Sequence, residues 1–284
     1  WEVPTDTSNA GEHILKNLAA AVQGKMQEKG LAAEQIEGVG VGVPGPVLDS
    51  RIVPIICANL GGWGKHNVAE ELSTMLGGIK VLVGNDANVA ALGEIWMGAA
   101  KGCRSAVMVT LGTGVGGGIV ADGQLLEGVG GTGAEVGHTV LVLDGEDCTC
   151  GRKGCWEAYA SATALIRQGK RAAAAQPGSL LAGYGEGLTG KDVFDAAAAG
   201  DAAAQAVVDR YCVYVAAGIT DLVNILGPEK VLIGGGISRQ GERLLAPIRA
   251  YVAANCFGGH DRTPPVIECA RLGNEAGIIG AAAL

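Results

Sequence analysis

Cysteine, histidine and glutamate are concentrated in one short stretch of the sequence. Residues 137–159 read GHTVLVLDGEDCTCGRKGCWEAY and contain the candidate ligands His138, Cys148, Cys150 and Cys155, followed by Glu157. Cys148 and Cys150 are poorly placed for a mutual disulfide, because an extended chain sends alternate side chains to opposite faces. A turn with Gly151 and Gly154 can instead aim several sulfurs at one point, and Cys3His is a standard tetrahedral zinc set. The pattern predicts a closed, structural zinc site, the alternative being unrelated buried cysteines.

Asp86, in VGNDANVAALGE (83–94), is a second candidate functional carboxylate. It ends a predicted strand and opens a predicted helix, where the helix dipole favours an ionised carboxylate and open α/β sheets bind ligands. The same position also fits a simple helix N-cap. Asn85 beside it has an amide that can donate and accept, which suits a polyol.

Two glycine-rich turns are candidate binding elements. In TLGTGVGGG (110–118), the backbone N–H groups of a hairpin turn and the Thr113 hydroxyl can meet an anion, but the same pattern also fits a plain flexible hairpin. The stretch lacks the GK[ST] of a Walker A loop. In LIGGGIS (232–238), a flat ring or a phosphate could lie against the backbone, although many strand-to-helix turns look alike.

The segment GGTGAEVGH (130–138) connects these features. Glu135 and His138 are three residues apart, so they would share a face on a helical turn. Glu135 would then point into the same space as Asn85 and Asp86, and His138 would link that turn to the zinc.

The elements that must position these residues alternate between strands and helices. Apolar runs predict strands at 38–44, 79–86 and 229–236 and a hairpin over 105–126. Helical patterns cover 11–29, 67–76, 87–100, 157–172, 202–225, 240–254 and 275–284, with Thr189 and Asp192 as an approximate capping box before a further short helix. Pro177 and nearby glycines make 171–187 the best loop candidate. The prediction is an α/β protein with two mixed-sheet lobes.

Composition excludes several classes of function. The formal charge of −8 disfavours nucleic acid or an anionic membrane as a partner, because neither offers long-range attraction. The sequence shows no apolar run long enough to span a bilayer and no secretory signal at Trp1, so we expect a cytoplasmic protein. The other cysteines are scattered singly, and we expect them to be reduced, buried thiols.

Taken together, the motifs resemble a known family. GVPGPV, NDANVAALGE, LGTGVGGG, GAEVGH, CTCGRKGCWEAYAS and VLIGGGIS are similar, in this order and spacing, to the ROK (repressor, open reading frame, kinase) family of sugar kinases, and most of all to its glucokinases. The resemblance implies an actin-like ATPase (ribonuclease H-like) fold, α/β with mixed sheets, two lobes and a central cleft. It implies a small lobe of residues 1–104, completed by the C-terminal helix 273–284, and a large lobe of 105–272.

The resemblance also implies roles for individual residues. Asp86 would be the catalytic base that takes the proton from the 6-hydroxyl of glucose. The sugar would be bound by Asn85, Asp86, Glu135, His138 and Glu157, with His138 serving also as a zinc ligand. The phosphates would meet Gly112, Thr113 and Gly114, and the adenosine would meet Gly234, Gly235 and Gly236. The implied cofactors are ATP with Mg²⁺ and structural Zn²⁺, and the implied assembly is a homodimer or homotetramer.

One family feature is not in this sequence. ROK kinases carry an N-terminal hairpin with a DxGGT motif that contacts the phosphates and magnesium, and the sequence contains no DxGGT. We therefore expect the natural protein to begin earlier, and the 284 residues alone to be poorly soluble and inactive. The competing functions are a kinase for N-acetylhexosamine or fructose, a sugar-responsive ROK transcriptional regulator and a polyphosphate-dependent glucokinase.

Overall fold

The computed structural model describes residues 1–57, 60–261 and 263–284. The strands are β1 (Val39–Val43), β2 (Ile52–Cys57), β3 (Trp63–Asn67), β4 (Val81–Asn85), β5 (Ala106–Leu111), β6 (Val115–Ala121), β7 (Gln124–Leu125), β8 (Lys230–Gly234) and β9 (Val266–Cys269). The α-helices are α1 (Ile14–Lys29), α2 (Val68–Met75), α3 (Asp86–Trp96), α4 (Glu157–Ala160), α5 (Ala162–Ala175), α6 (Gly190–Ala198), α7 (Ala202–Leu226), α8 (Glu242–Asn255) and α9 (Glu275–Ala281). The capping box at Thr189 and Asp192 is confirmed at the start of α6.

The N-terminal part is built around the parallel pair β1–β4 and the antiparallel pair β2–β3. The apolar faces of α1 and α2 cover these strands, and the resulting core includes Val53, Val68, Leu72 and Val83. Gly40 in β1 has no room for a side chain, because a Cβ there would lie 1.7 Å from the carbonyl oxygen of Ala281 in α9. The last helix therefore packs directly against the first strand.

The second part contains a five-stranded sheet in the order β7-β6-β5-β8-β9. β6 runs antiparallel to β5, while β8 and β9 run parallel to it, so the sheet is mixed as predicted. The helices that pack with this sheet share a core in which Trp156, Phe194 and Tyr211 are almost fully buried. Since parallel strands end at the same edge of a sheet, the carboxyl ends of β5 and β8 lie side by side.

Helix α3 joins the two parts. A Cβ on Gly280 of α9 would lie 1.5 Å from the carbonyl oxygen of Val89, so α3 and α9 cross backbone against backbone. On its other side, α3 packs on β6, where a Cβ on Gly118 would lie 2.5 Å from the Cβ of Ala91. The glycines of β6 thus let the N-terminal end of α3, with Asp86, approach the β5–β6 turn.

The structure corrects two predictions and adds three strands that the sequence analysis missed. The helix predicted over 157–172 is two helices, because Ser161 is extended and caps α5 by accepting the N–H of Ala164 at 3.1 Å. The predicted loop 171–187 was wrong, since its alanines extend α5 to Ala175 and Leu180–Gly187 forms a 3-10 helix. Sequence patterns missed three strands, namely β2, which contains Pro54, β3, which contains Gly64, and the four-residue β9. In the part of the chain that the structure describes, no helix has the length and apolar character needed to cross a bilayer.

Candidate functional site

An open cleft of about 430 Å³ lies where the start of α3, the β5–β6 turn and the loop before α4 meet. Its polar lining comes from distant parts of the sequence and consists of Asp86, Thr110, Thr113, Glu135, His138 and Glu157. Gly112 and Gly114 also line it. The structure therefore brings together most of the residues that the sequence singled out, whereas Asn85 and Gly234–Gly236 lie outside this lining.

Asp86 occupies the first turn of α3, directly after β4. Its Oδ1 accepts the N–H of Ala87 at 2.8 Å, which holds the carboxylate at the start of the helix, where Asp86 lines the cleft. Although part of Asp86 is open to solvent, the cleft walls remove water from the carboxyl. This desolvation raises the pKa of Asp86 above its ordinary value of 3.8, and hydrogen bonds from the backbone offset part of the rise.

Asn85, rather than Asp86, is the N-cap of α3. Its Oδ1 accepts the N–H groups of Ala87 at 3.0 Å and Asn88 at 3.1 Å, and its Nδ2 donates to the carbonyl oxygen of Gly45 at 3.0 Å. These bonds leave one N–H of the amide for a ligand. The capping role frees Asp86 for chemistry, and the predicted contact of Asn85 with sugar stays a prediction.

Glu157 links the cysteine loop to the glycine-rich turn. Its Oε2 accepts the N–H of Val115 at 3.1 Å, and its Oε1 lies 3.1 Å from the Thr149 hydroxyl and 3.6 Å from the sulfur of Cys148. The fit against the turn is tight, because a Cβ on Gly114 would lie 2.3 Å from Oε2. One carboxylate thus holds three segments together at the edge of the cleft.

Glu135 and His138 lie on one 3-10 turn, in which the N–H of His138 donates to the carbonyl oxygen of Glu135 at 3.0 Å. Both side chains line the cleft, as their spacing predicted. The Nδ1 of His138 lies 3.6 Å from the sulfur of Cys148, which leaves Nε2 as the nitrogen for the cleft.

His138, Cys148, Cys150 and Cys155 form one cluster, whose ligand atoms all lie within 4.8 Å of one another. The sulfurs of Cys150 and Cys155 are 3.7 Å apart. A tetrahedral zinc ion with Zn–S bonds of about 2.3 Å requires sulfurs about 3.8 Å apart and S–N distances of about 3.5 Å. The distance between Cys150 and Cys155 and the 3.6 Å between Cys148 and His138 match these values, and Cys150 and Cys155 are too far apart to form a disulfide.

The turn that shapes the cluster depends on glycine. Gly151 and Gly154 have φ values of 86° and 75°, in the left-handed region that disfavours other residues. The pKa of Cys155 is raised to about 12, mainly by burial and further by the neighbouring thiols Cys150 and Cys148. Without a cation, the three sulfurs are therefore too close together for all of them to be thiolates.

The two glycine turns are neighbours at one edge of the sheet. Gly235 has a φ of 83°, and a Cβ there would lie 2.4 Å from the carbonyl oxygen of Leu111, the last residue of β5. At the adjacent β5–β6 turn, the Gly112 N–H donates to the Gly114 carbonyl oxygen at 3.0 Å. The N–H groups of Thr113 and Gly114 have no partner among the described residues, so they are available to a ligand.

Sequence reasoning missed three residues at or near the cleft. Thr110 lines it, Thr149 donates to Glu157, and the hydroxyl of Thr163 donates to the carbonyl oxygen of Thr113 at 2.8 Å. Thr149 stands between Cys148 and Cys150, which was the only signal of its proximity. Thr110 and Thr163 carry no local signal, because their positions depend on how the strands and α5 pack.

Comparison with known proteins agrees with this arrangement. A glucokinase from Halalkalibacterium halodurans is 40% identical over 289 residues, covering 99% of this chain and 85% of the relative. A glucokinase from Streptomyces coelicolor is 38% identical over 289 residues, covering 100% of this chain and 88% of the relative. The crystal structure of a ROK family glucokinase from Streptomyces griseus in complex with glucose and AMPPNP superposes with a TM-score of 0.80 at 37% identity, covering 100% of this chain and 90% of that one.

These likenesses confirm the predicted fold class, the α/β actin-like ATPase fold with mixed sheets. The family match extends over residues 2–284, which is almost the whole chain. The cleft, the cysteine–histidine cluster and the order of the motifs all lie within that match. The chain belongs to the ROK family.

Proposed function

We propose that this protein is an ATP-dependent glucokinase, which transfers a phosphoryl group from ATP to the 6-hydroxyl of glucose. The observation that carries the proposal is the cleft itself, where Asp86, Glu135, His138 and Glu157 face the glycine turn of residues 112–114. The relatives described above are glucokinases, and one of them was crystallised with glucose and an ATP analogue.

The cleft residues suit a hexose. A sugar presents hydroxyl groups in fixed directions, and the carboxylates of Glu135 and Glu157 accept from hydroxyls while the imidazole of His138 exchanges hydrogen bonds with them. Asp86 lies at the strand end beside these groups, in position to take the proton of the attacking hydroxyl. Its raised pKa makes it a better proton acceptor than an ordinary aspartate.

The glycine turns suit the nucleotide. The N–H groups of Thr113 and Gly114 and the Thr113 hydroxyl would meet the phosphates, and the neighbouring turn of Gly234–Gly236 would lie against adenosine. Phosphoryl transfer depends mainly on positioning and on neutralisation of charge, which Mg²⁺ supplies when it is bound with ATP. Asp86 therefore has only to orient the hydroxyl and receive its proton.

The cysteine–histidine cluster would hold structural zinc through His138, Cys148, Cys150 and Cys155. Four protein ligands complete a tetrahedral ion and leave no coordination position open for catalysis. The ion would fix the turn that carries His138 and the loop that reaches Glu157. Its proposed role is to preorganise the sugar site.

The fold suggests how the cleft is assembled. Residues 1–104 with the helix 273–284 would form the small lobe, and 105–272 would form the large lobe. Separate apolar cores around Leu72 and Tyr211 and the packing of α9 on β1 support this division. Asp86 would then come from one lobe, and Glu157 and the phosphate turn from the other.

The function is tested with the protein as its gene encodes it, by measuring sugar phosphate formation from glucose, N-acetylmannosamine, N-acetylglucosamine and fructose with each phosphate donor. We expect kcat/KM to be highest for glucose with ATP, and polyphosphate to be a poor substitute for ATP. A preference for an N-acetylhexosamine would replace the proposed substrate. Absence of ATP-dependent phosphorylation of any of these sugars would refute the proposal.

Two glycines of the same turn, Gly112 and Gly114, allow a matched test. In Gly114→Ala, the new methyl group would meet the Glu157 carboxylate at 2.3 Å and displace it, whereas Gly112→Ala would meet nothing within 4 Å. A lost hydrogen bond to a charged group typically costs about 1.5–3 kcal/mol, so we expect Gly114→Ala to weaken glucose binding by about tenfold or more. Glucose titration without ATP measures this. Equal affinities in the two variants would remove Glu157 from the sugar site.

The pH dependence follows from the environment of Asp86. A general base works only when it is deprotonated, so kcat/KM should fall as the pH drops through its pKa. Because desolvation raises this pKa above 3.8, the fall should begin at a higher pH than for an exposed aspartate. A profile of kcat/KM from about pH 4 to about pH 8 checks this, with glucose affinity measured in parallel. Activity that stays constant down to the ordinary pKa of aspartate would argue against Asp86 as the base.

A further inference from the structure

A second cavity, of about 340 Å³, lies away from the cleft between α5, α7 and the loop that precedes Cys148. We call it the arginine pocket. Its charged and aromatic lining consists of Glu146, Tyr159, Arg167, Arg171, Arg210 and Tyr214. Three guanidinium groups against one carboxylate make this a positive site in a chain whose formal net charge is −8. Such a local reversal of sign favours an anionic ligand.

The single carboxylate does not satisfy the arginines. Arg171 forms a bidentate ion pair with Glu146, in which Nη1 donates to Oε1 at 2.5 Å and Nη2 donates to Oε2 at 3.0 Å. The Nε of Arg167 is buried 3.7 Å from the same carboxylate and has no hydrogen-bond partner among the described residues. A buried donor without a partner is costly, and an additional acceptor would relieve that cost.

Arg210 lies on the α7 side of the pocket, with its Cζ 5.9 Å from the centre of the Tyr214 ring. It has no ion pair within residues 1–57, 60–261 and 263–284. Its guanidinium is therefore held at the pocket by the aromatic ring while its donors are free for a ligand.

The rest of the pocket is apolar and aromatic. Ala172, Ala203 and Val207 line it, and the rings of Tyr159 and Tyr214 pack with their centres 4.9 Å apart. The volume lies within the usual range for small-molecule sites, about 300–1,000 Å³. A ligand that fits this pocket has a doubly negative group, which would pair with the guanidinium groups, and a small organic group, which would contact the apolar wall.

We propose that the arginine pocket binds a small organic phosphomonoester, whose phosphate is held by Arg210, Arg171 and Arg167 in competition with the Glu146 carboxylate. Guanidinium groups match phosphate oxygens in paired hydrogen bonds. The backbone of Glu146 is tied to α4 and to the cysteine loop, since its N–H donates to the Tyr159 hydroxyl at 2.7 Å and its carbonyl oxygen accepts the Gly154 N–H at 2.8 Å. This binding goes beyond the proposed kinase activity and does not require it.

Calorimetric titration tests the proposal, with glucose 6-phosphate as the organic ester and inorganic phosphate as the bare anion. Glucose and a non-hydrolysable ATP analogue are present in excess to occupy the cleft. We expect both probes to bind, with glucose 6-phosphate the tighter. Arg210→Gln should weaken binding by about tenfold, the usual effect of losing a charged hydrogen bond. Glu146→Gln should strengthen binding, because it removes the competing charge.

The matched control is Arg104→Gln, which removes an exposed arginine that pairs with Asp122 and does not line this pocket, and it should leave binding unchanged. The opposite signs expected for Arg210→Gln and Glu146→Gln separate specific binding from loss of fold. They also locate the site outside the cleft, even if the protein proves not to bind glucose. Unchanged affinity in Arg210→Gln, weaker binding in Glu146→Gln, or binding of inorganic phosphate alone would each overturn the proposal.

Discussion

Replacing Asp86 by asparagine should lower kcat for glucose phosphorylation by about 10²–10⁴-fold, the usual effect of losing a general base. Asparagine keeps the size of the side chain and the acceptor for the Ala87 N–H, which Asp86 now bonds at 2.8 Å. The N-cap of α3 is Asn85, so the helix start should not change. What the variant loses is the carboxylate that can accept a proton.

The measurement is steady-state kinetics together with glucose titration in the absence of ATP. Glucose affinity should stay close to that of the unaltered protein, because Glu135, His138 and Glu157 are untouched. Asp122→Asn is the matched control, since Asp122 is exposed in the turn between β6 and β7, pairs with Arg104 and does not line the cleft. A variant of Asp86 that keeps more than about a tenth of the original kcat would show that another group receives the proton.

Replacing Cys150 by serine should remove the metal and weaken glucose binding, although Cys150 does not line the cleft. The unaltered protein should carry about one zinc ion per chain. Structural zinc contributes roughly 10–16 kcal/mol of apparent binding free energy in small peptides, so losing a thiolate ligand should have a large effect on the loop. Since Cys148 contacts both His138 at 3.6 Å and Glu157 at 3.6 Å, a loosened loop would misplace two sugar-binding groups.

Metal analysis of protein purified without chelators, followed by glucose titration, tests this expectation. Cys103→Ser is the matched control, because Cys103 is a single, partly buried thiol outside the cluster. It should retain both zinc and glucose affinity. If the unaltered protein holds no zinc, or if Cys150→Ser binds glucose as well as Cys103→Ser does, the proposed role of the cluster is wrong.

Some features of this protein follow from the sequence because they depend on neighbouring residues. The alternation of apolar strands with capped helices indicates an α/β fold, and the capping box at Thr189 and Asp192 marks the start of α6. The cysteine cluster is equally local. Cys148, Cys150 and Cys155 lie within one turn, and Gly151 and Gly154 allow the backbone conformation that the turn requires. Features that depend on residues close together in the chain can therefore be predicted from the sequence.

Local patterns were less reliable where packing competes with propensity. The alanines after Arg171 continue α5 despite the glycines and proline that follow, and Ser161 divides one expected helix into two by capping the second. Strand β2 is rich in Ile and Val, which favour a strand, but Pro54 interrupts the run. Strand β3 carries little strand signal of its own and pairs with β2 through backbone hydrogen bonds. This pairing energy does not show in the sequence of β3 alone.

Only the tertiary structure decides which distant groups meet. Glycines in β6 and α9 allow α3 to approach two backbones closely, and this brings Asp86 into the lining of the same cleft as Glu157. The same packing fully buries Glu94, whose carboxylate accepts the N–H groups of Ala99 and Leu272 at 2.7 Å each. The arginine pocket likewise combines residues of α5 and α7 with Glu146. Because side chains far apart in sequence meet only when the backbones between them fit, neither the pocket nor the buried carboxylate can be read from residue types and spacing.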